Sequence, residues 1–240
     1  MIETTLPTTA GGICISSCLG KLFTSVLNIR LKNHVLHKNI LHQAQIGFLP
    51  NQRTSDHIFT LKTLVDKYVS HTTNGKLYTC FIDFKKAFDS VWQDGLLCKL
   101  LNYNIGGKFY NLIKNLYSKT KCSIKCADKR TELFDYQKGV RQGCILSPML
   151  FSLYLNEIPF LLDQEDTDSI TLPNGSKLNS LLYADDLVFV SHSPKACKKH
   201  FPFSQNVVKI GSSPLIPRKQ KLWSFKRNVG NQPLTNITFK

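Results

Sequence analysis

Asp185 and Asp186 are adjacent carboxylates between two apolar runs, Leu181-Leu182-Tyr183-Ala184 and Leu187-Val188-Phe189-Val190. Aliphatic, aromatic and β-branched residues in runs this short predict strands, which puts the two acids on the turn of a hairpin. Ionised neighbours repel each other, so a turn that keeps two of them needs a compensating partner. The commonest one in chemistry is a divalent cation. A third acid, Asp83, ends another predicted strand, Leu77-Tyr78-Thr79-Cys80-Phe81-Ile82. Acids at the ends of separate strands can share two Mg²⁺ ions about 3.5–4 Å apart, which together hold the attacking and leaving oxygens of an in-line phosphoryl displacement. Taken alone, Asp83 reads first as a helix cap or a salt-bridge partner.

The bulk properties are compatible with such chemistry. The 240 residues carry 31 Lys and Arg against 16 Asp and Glu, a formal charge of +15. That balance suits a polyanion, either nucleic acid or an acidic membrane surface. The longest apolar stretch, Cys144 to Leu162, is interrupted by Ser147, Pro148, Asn156, Glu157 and Pro159, which argues against a membrane span. The N-terminus has neither the basic nor the apolar region of a signal peptide, so an intracellular protein with reduced thiols is expected. The spaced pairs Cys14/Cys18 and Cys122/Cys126 lack the partner ligands of a zinc site.

The elements that must position the acids follow from periodicity. Residues 1–12, MIETTLPTTAGG, read as a loose tail. Helical spacing covers Leu19 to Val35, and a second helix opens with Thr54 or Ser55 as cap and Asp56 in its first turn. That second helix carries Ile58, Leu61, Leu64, Val65 and Tyr68 on one side. Helices are expected at 94–102, with Asp94 as cap, and at 107–118, with Gly106-Gly107 as the joining turn. Strands near 121–127 and 131–138 flank a polar turn, Asp128-Lys129-Arg130. Ser147-Pro148 starts a helix running to about Leu162. The fold class is α+β, since strands and helices mix without regular βαβ alternation. From 187 onward there is no acid, and Lys195 to Lys240 holds ten Lys or Arg. This last stretch reads as a basic arm or a poorly ordered remnant.

Three segments resemble the palm motifs of reverse transcriptases of non-LTR retrotransposons. Phe81-Ile82-Asp83-Phe84-Lys85-Lys86-Ala87-Phe88-Asp89-Ser90-Val91 is similar to the first catalytic motif. Gly139-Val140-Arg141-Gln142-Gly143-Cys144-Ile145-Leu146-Ser147-Pro148-Met149-Leu150-Phe151 is similar to the nucleotide-site motif, and Tyr183-Ala184-Asp185-Asp186 to the second catalytic motif. Leu19–Phe23, Gln45–Phe48 and Arg53–Asp56 resemble the fingers. The resemblance spans residues 13–193, with fingers over 13–76 and palm over 77–193, leaving 194–240 as a basic, degenerate segment. It implies a right-hand polymerase palm with partial fingers, an antiparallel palm sheet packed on helices, and a thumb missing or degenerate.

It also implies roles. Asp83, Asp185 and Asp186 would bind two Mg²⁺ (or Mn²⁺) ions, with Asp185 the firmer ligand of the doublet and the Phe84 carbonyl as a further one. Phe88 would be a steric gate against the ribose 2′-OH, or a core residue, or both. Gln142 and Gly143 would line the nucleotide pocket, the glycine admitting close backbone approach. Arg53 or Arg141 would meet phosphate, with a solvated side chain as the alternative for each. Asp89 would order its local turn. The implied substrates are an RNA or DNA template-primer and dNTPs, and the implied location is nucleus or cytoplasm, as for retroelement proteins. Members of the family usually carry an endonuclease domain upstream. Downstream they have a lysine-bearing strand that Lys221-Leu222-Trp223-Ser224-Phe225-Lys226 resembles only faintly. Two rival readings are a catalytically inactive remnant that at most binds nucleic acid, and a two-metal nuclease built on the same acids.

Overall fold

The computed structural model describes residues 2–5, 13–70, 75–84, 86–126, 128–164, 168–172, 174–196 and 217–226. In chain order the elements are β1 (Ile2–Thr5), β2 (Ile13–Ile15), α1 (Cys18–His37), α2 (Thr54–Val65), a π-helical turn (Asp66–Ser70) and β3 (Lys76–Phe84). There follow α3 (Ala87–Ser90), α4 (Gln93–Asn102), α5 (Gly107–Ser118), β4 (Lys121–Cys126), β5 (Lys129–Arg130), β6 (Phe134–Asp135), α6 (Ser147–Leu155) and α7 (Glu157–Gln164). Four short strands, β7 (Ile170–Thr171), β8 (Lys177–Leu178), β9 (Ser180–Tyr183) and β10 (Asp186–Ser191), lead to β11 (Pro217–Lys226). The class is α+β, as expected. The chain forms two compact units.

The first unit holds β1, β2, α1, α3–α6 and β4–β6. Its sheet has the order β2-β1-β4-β5, with β6 also paired to β4. Helix α6 is buried at every position except Pro148, the pattern of a helix apolar all round at the centre of a core. Helix α1 buries the stripe Thr24, Leu27, Leu31 and Val35. Leu22, Phe23, Val26 and Ile29, part of the same expected periodicity, stay exposed.

The second unit holds α2, the π turn, β3 and α7–β11. Its central sheet runs β11-β3-β10-β9, each neighbour antiparallel to the next. Leu64, Val65 and Val69 pack with Leu77, Ile170, Leu181 and Val190 into one core cluster that pins the end of α2 to the sheet.

Several expectations are corrected. The loose tail contains β1, whose β-branched Ile2, Thr4 and Thr5 pair with β2 on one side and β4 on the other; residues 6–12 lie outside the described residues. The helix foreseen from Ser147 to Leu162 is two helices split at Asn156, because Pro159 has no N–H for the Leu155 carbonyl. The strand expected at 131–138 is reduced to β6, and β5 lies wholly within the supposed turn. Helix α2 is capped at Arg53, one residue early, where the Asp56 carboxylate accepts the Arg53 backbone N–H at 2.7 Å. Tyr68, placed on that helix by spacing, belongs to the π turn. Asp94 sits in the first turn of α4 and Trp92 at its cap. The segment read as degenerate contains the ten-residue β11, which pairs along the whole length of β3. Basic composition hid it, since Lys, Arg and Gln weaken an apolar periodicity while leaving an edge strand well suited to solvent.

Cys14, Cys18, Cys80, Cys98, Cys122 and Cys144 are free, and among the described residues no helix is long and apolar enough to cross a membrane.

Candidate active site

Asp83 and Asp186 lie on one face of the second unit's sheet, and Asp185 sits on the adjoining turn, near enough for its charge to interact with both. Leu187 pairs with Ile82 across β10 and β3, so the next rung sets Asp186 opposite Asp83. On the other side Asp186 pairs with Tyr183, closing β9 and β10 over the two-residue turn Ala184-Asp185. Cross-strand partners point to the same face, and alternation adds Phe81, Leu181, Tyr183 and Val188 to it. Helix α2 lies over that face. Thr54, His57, Ile58 and Leu61 join these side chains, Asp83 and Asp186 among them, around a cavity of about 460 Å³. Ala184 takes φ +57°, a left-handed conformation that costs an alanine about 1 kcal/mol.

Burial raises the pKa of Asp185, and the charges of Asp186 and Asp83 add to the rise against a hydrogen bond from the residue's own backbone that lowers it. Asp186 is raised in the same way, by desolvation first and then by Asp83. Among the residues whose side chains are described, which leaves out those of β11, no Lys or Arg forms an ion pair with any of the three. Nor are any three His, Cys, Asp or Glu drawn into a closed ligand set. The donor chemistry nevertheless suits hard divalent cations: oxygen ligands only, negatively charged, on adjacent strands, and mutually repelling. Phe84 follows Asp83 with its side chain buried. Arg53 is exposed at the N-terminus of α2, the helix that lines the cavity.

Phe88, Arg141, Gln142 and Gly143 belong to the first unit. The Phe88 ring stacks on Phe151 with centroids 4.4 Å apart and planes inclined by 13°. Its carbonyl accepts the Val140 N–H at 2.8 Å, and the Val91 carbonyl accepts the Gly139 N–H at 2.8 Å, so the loop bearing Gln142 is tied to the segment bearing Phe88. Gln142 is exposed, and its carbonyl accepts the Cys14 N–H at 2.7 Å. Gly143 takes φ +101°, and a Cβ there would lie 3.0 Å from the Cys14 carbonyl. The glycine thus has a structural requirement of its own. Asp89 is half-buried, its backbone lies against Gly139, and its pKa is raised by burial and partly restored by Lys86.

Arg141 is a correction. It is buried, its guanidinium donates to the Leu116 carbonyl and the Thr120 hydroxyl, and it lies 5.4 Å from the Tyr117 ring centroid. These contacts commit it to joining the end of α5 to the 139–143 loop, not to phosphate. Arg141→Met is expected to cost about 2 kcal/mol, because it removes the hydrogen bonds that the buried guanidinium donates to Leu116 and Thr120. Urea unfolding checks this; unchanged stability would return the residue to the phosphate role.

Sequence reasoning passed over His57, grouped with the scattered histidines. Its Nε2 lies 3.2 Å from the Ala44 carbonyl and 3.0 Å from that of Leu182, so it must carry the proton. The only signal was its place on α2 next to Ile58, which spacing cannot distinguish from a solvated histidine.

Comparison with known proteins accords with this geometry. Residues 9–227 match the family described as reverse transcriptase (RNA-dependent DNA polymerase). The chain is 28% identical over 171 residues to the transposon TX1 uncharacterized 149 kDa protein of Xenopus laevis, covering 71% of this chain and 13% of that one. It is 26% identical over 181 residues to the RNA-directed DNA polymerase from mobile element jockey of Drosophila funebris, covering 73% and 18%. It therefore spans well under two thirds of these relatives. Apo telomerase from Candida tropicalis shares the fold at a TM-score of 0.64 with 14% identity, over 92% of this chain and 44% of that one. The family match extends past the expected limit at residue 193 and takes in β11. With the match covering the segments that carry Asp83, Asp185 and Asp186 and most of the chain, this chain belongs to the reverse transcriptase family.

Proposed function

We propose that the chain is the polymerising part of a non-LTR retrotransposon reverse transcriptase, joining the α-phosphorus of a dNTP to a primer 3′-OH on an RNA or DNA template. The observation that carries this reading is the β3–β10 register, which sets Asp186 against Asp83 beside Asp185 in a chain of this family. Asp83, Asp185 and Asp186, with the Phe84 carbonyl, would hold two Mg²⁺ or Mn²⁺ ions. When bound, such ions stabilise the charge that develops on the attacking and leaving oxygens. The sheet's own contribution is to hold the three carboxylates on neighbouring strands. Phe88 would limit the space at the sugar, Gln142 would offer hydrogen bonds to the nucleotide, and Arg53 would meet the triphosphate.

Primer extension on poly(rA)/oligo(dT) with Mg²⁺ tests the reading. Incorporation by the wild type supports it. No incorporation, with retained RNA binding, supports a remnant that only binds nucleic acid; phosphodiester cleavage without dNTPs supports the nuclease.

The +15 charge leads to a separate expectation. If four phosphates of single-stranded RNA are neutralised, affinity should fall about fifty-fold between 50 and 200 mM salt. Filter binding across that range measures the slope, and a flat response would exclude electrostatic RNA binding.

A further inference from the structure

We infer that Gln45, assisted by Gly47, is a positioning residue that holds the acid-bearing turn in its strained conformation. The inference rests on the polymerase reading for its effect on turnover, but its structural content stands apart from it. β9 is the edge strand of its sheet, and an edge leaves peptide groups unpaired. Residues 44–47 close that edge. The Leu182 N–H donates to the Ala44 carbonyl at 2.8 Å, and the Ile46 N–H donates to the Leu182 carbonyl at 3.0 Å, forming an isolated parallel bridge. His57 Nε2 supports both carbonyls.

The Gln45 side chain then extends the pairing by one residue to Ala184. The Ala184 N–H donates to Gln45 Oε1 at 3.2 Å, and Gln45 Nε2 donates to the Ala184 carbonyl at 3.4 Å. The Gly47 N–H donates to the same Oε1 at 3.0 Å. Gln45 is 1% exposed, so its carboxamide has no competing water. A primary amide offers one acceptor and one donor side by side, which is what a peptide group at a sheet edge requires. Ala184 is a non-glycine residue at positive φ, immediately before Asp185. Such a conformation persists only when its surroundings impose it. Its direction sets where the Asp185 carboxylate emerges. Gly47 is required for a steric reason: a Cβ there would lie 2.3 Å from the Ala184 nitrogen.

The test compares the whole chain as wild type, Gln45→Ala, Gln45→Glu, and Gln45→Ala combined with Ala184→Gly. Glutamate keeps the size and both accepted hydrogen bonds but sets an oxygen against the Ala184 carbonyl, so it covers the case in which the alanine variant fails to fold. Hydrogen exchange is read over residues 180–191. Both single variants should speed exchange at Ala184–Asp186 by about tenfold while leaving the rest of the sheet unchanged. In primer extension kcat should fall by up to about a hundredfold with the KM for dTTP unchanged, since the reacting group is displaced and nucleotide contacts are not. Ala184→Gly should recover most of the kcat lost in Gln45→Ala, because glycine adopts the turn without being held.

Unchanged exchange at the hairpin in both single variants overturns the inference. So does exchange that rises evenly over the whole second unit, and so does a kcat loss that the glycine fails to recover. If the wild type incorporates no nucleotide, the polymerase reading fails, and the exchange measurements alone decide whether Gln45 holds the turn.

Discussion

Asp185→Asn should abolish primer extension, by at least about a thousandfold or some 4 kcal/mol of barrier, while making the metal-free protein more resistant to heat. The two results have one cause. Burial and the neighbouring acids raise the Asp185 pKa, so the fold binds this proton more tightly than the unfolded chain does. Stability from this group is present below the ordinary carboxylate value near 3.8 and is lost as pH rises through the raised folded value. At neutral pH the ionised group therefore opposes folding. Asparagine has nearly the same shape and no charge, so it removes the repulsion together with the anionic ligand. Steady-state incorporation and thermal unfolding without metal are the two measurements. The wild-type melting temperature should also rise with added Mg²⁺, and that of the variant should rise much less. A variant that melts lower than the wild type, or keeps its incorporation, would contradict the assignment of the acids.

Phe88→Ala should have the second largest effect, in two separable parts. The first is sugar selection: ribonucleotides should be incorporated once the ring is gone, because the 2′-OH is the only difference in the sugar available to be read. The second is stability. The ring is stacked on Phe151, and truncating a packed aromatic costs about 3 kcal/mol. Phe88→Val keeps part of the packing and should show the change in selection with less loss of stability. Competition between dTTP and UTP, with urea unfolding of the same samples, separates the two. If discrimination stays unchanged in both variants while stability falls, Phe88 is a core residue only.

The acids were readable in the sequence because strand ends and turns leave strong local marks. Apolar runs stop abruptly at Asp83 and on either side of Asp185-Asp186, and a period of two fixes which side chains share a face. Arg141 was not readable. A buried arginine satisfied by carbonyls and an exposed one meeting phosphate look identical in a chain, since the difference lies in Leu116 and Thr120, brought there by folding. β11 was nearly invisible for a related reason. Its residues carry little apolar alternation, and its pairing is defined by β3, far away in the chain.

By itself, then, the sequence determined the α+β class, the three carboxylates and the family motifs, all of which depend on short-range spacing and on side-chain chemistry. Only the tertiary structure decided that Asp83 and Asp186 line one cavity and that Arg141 is spent inside its own unit. It alone disclosed that Gln45 grips a strained alanine from 139 residues away. Such long-range hydrogen bonds leave no periodic trace, because they join segments whose separation in the chain is arbitrary.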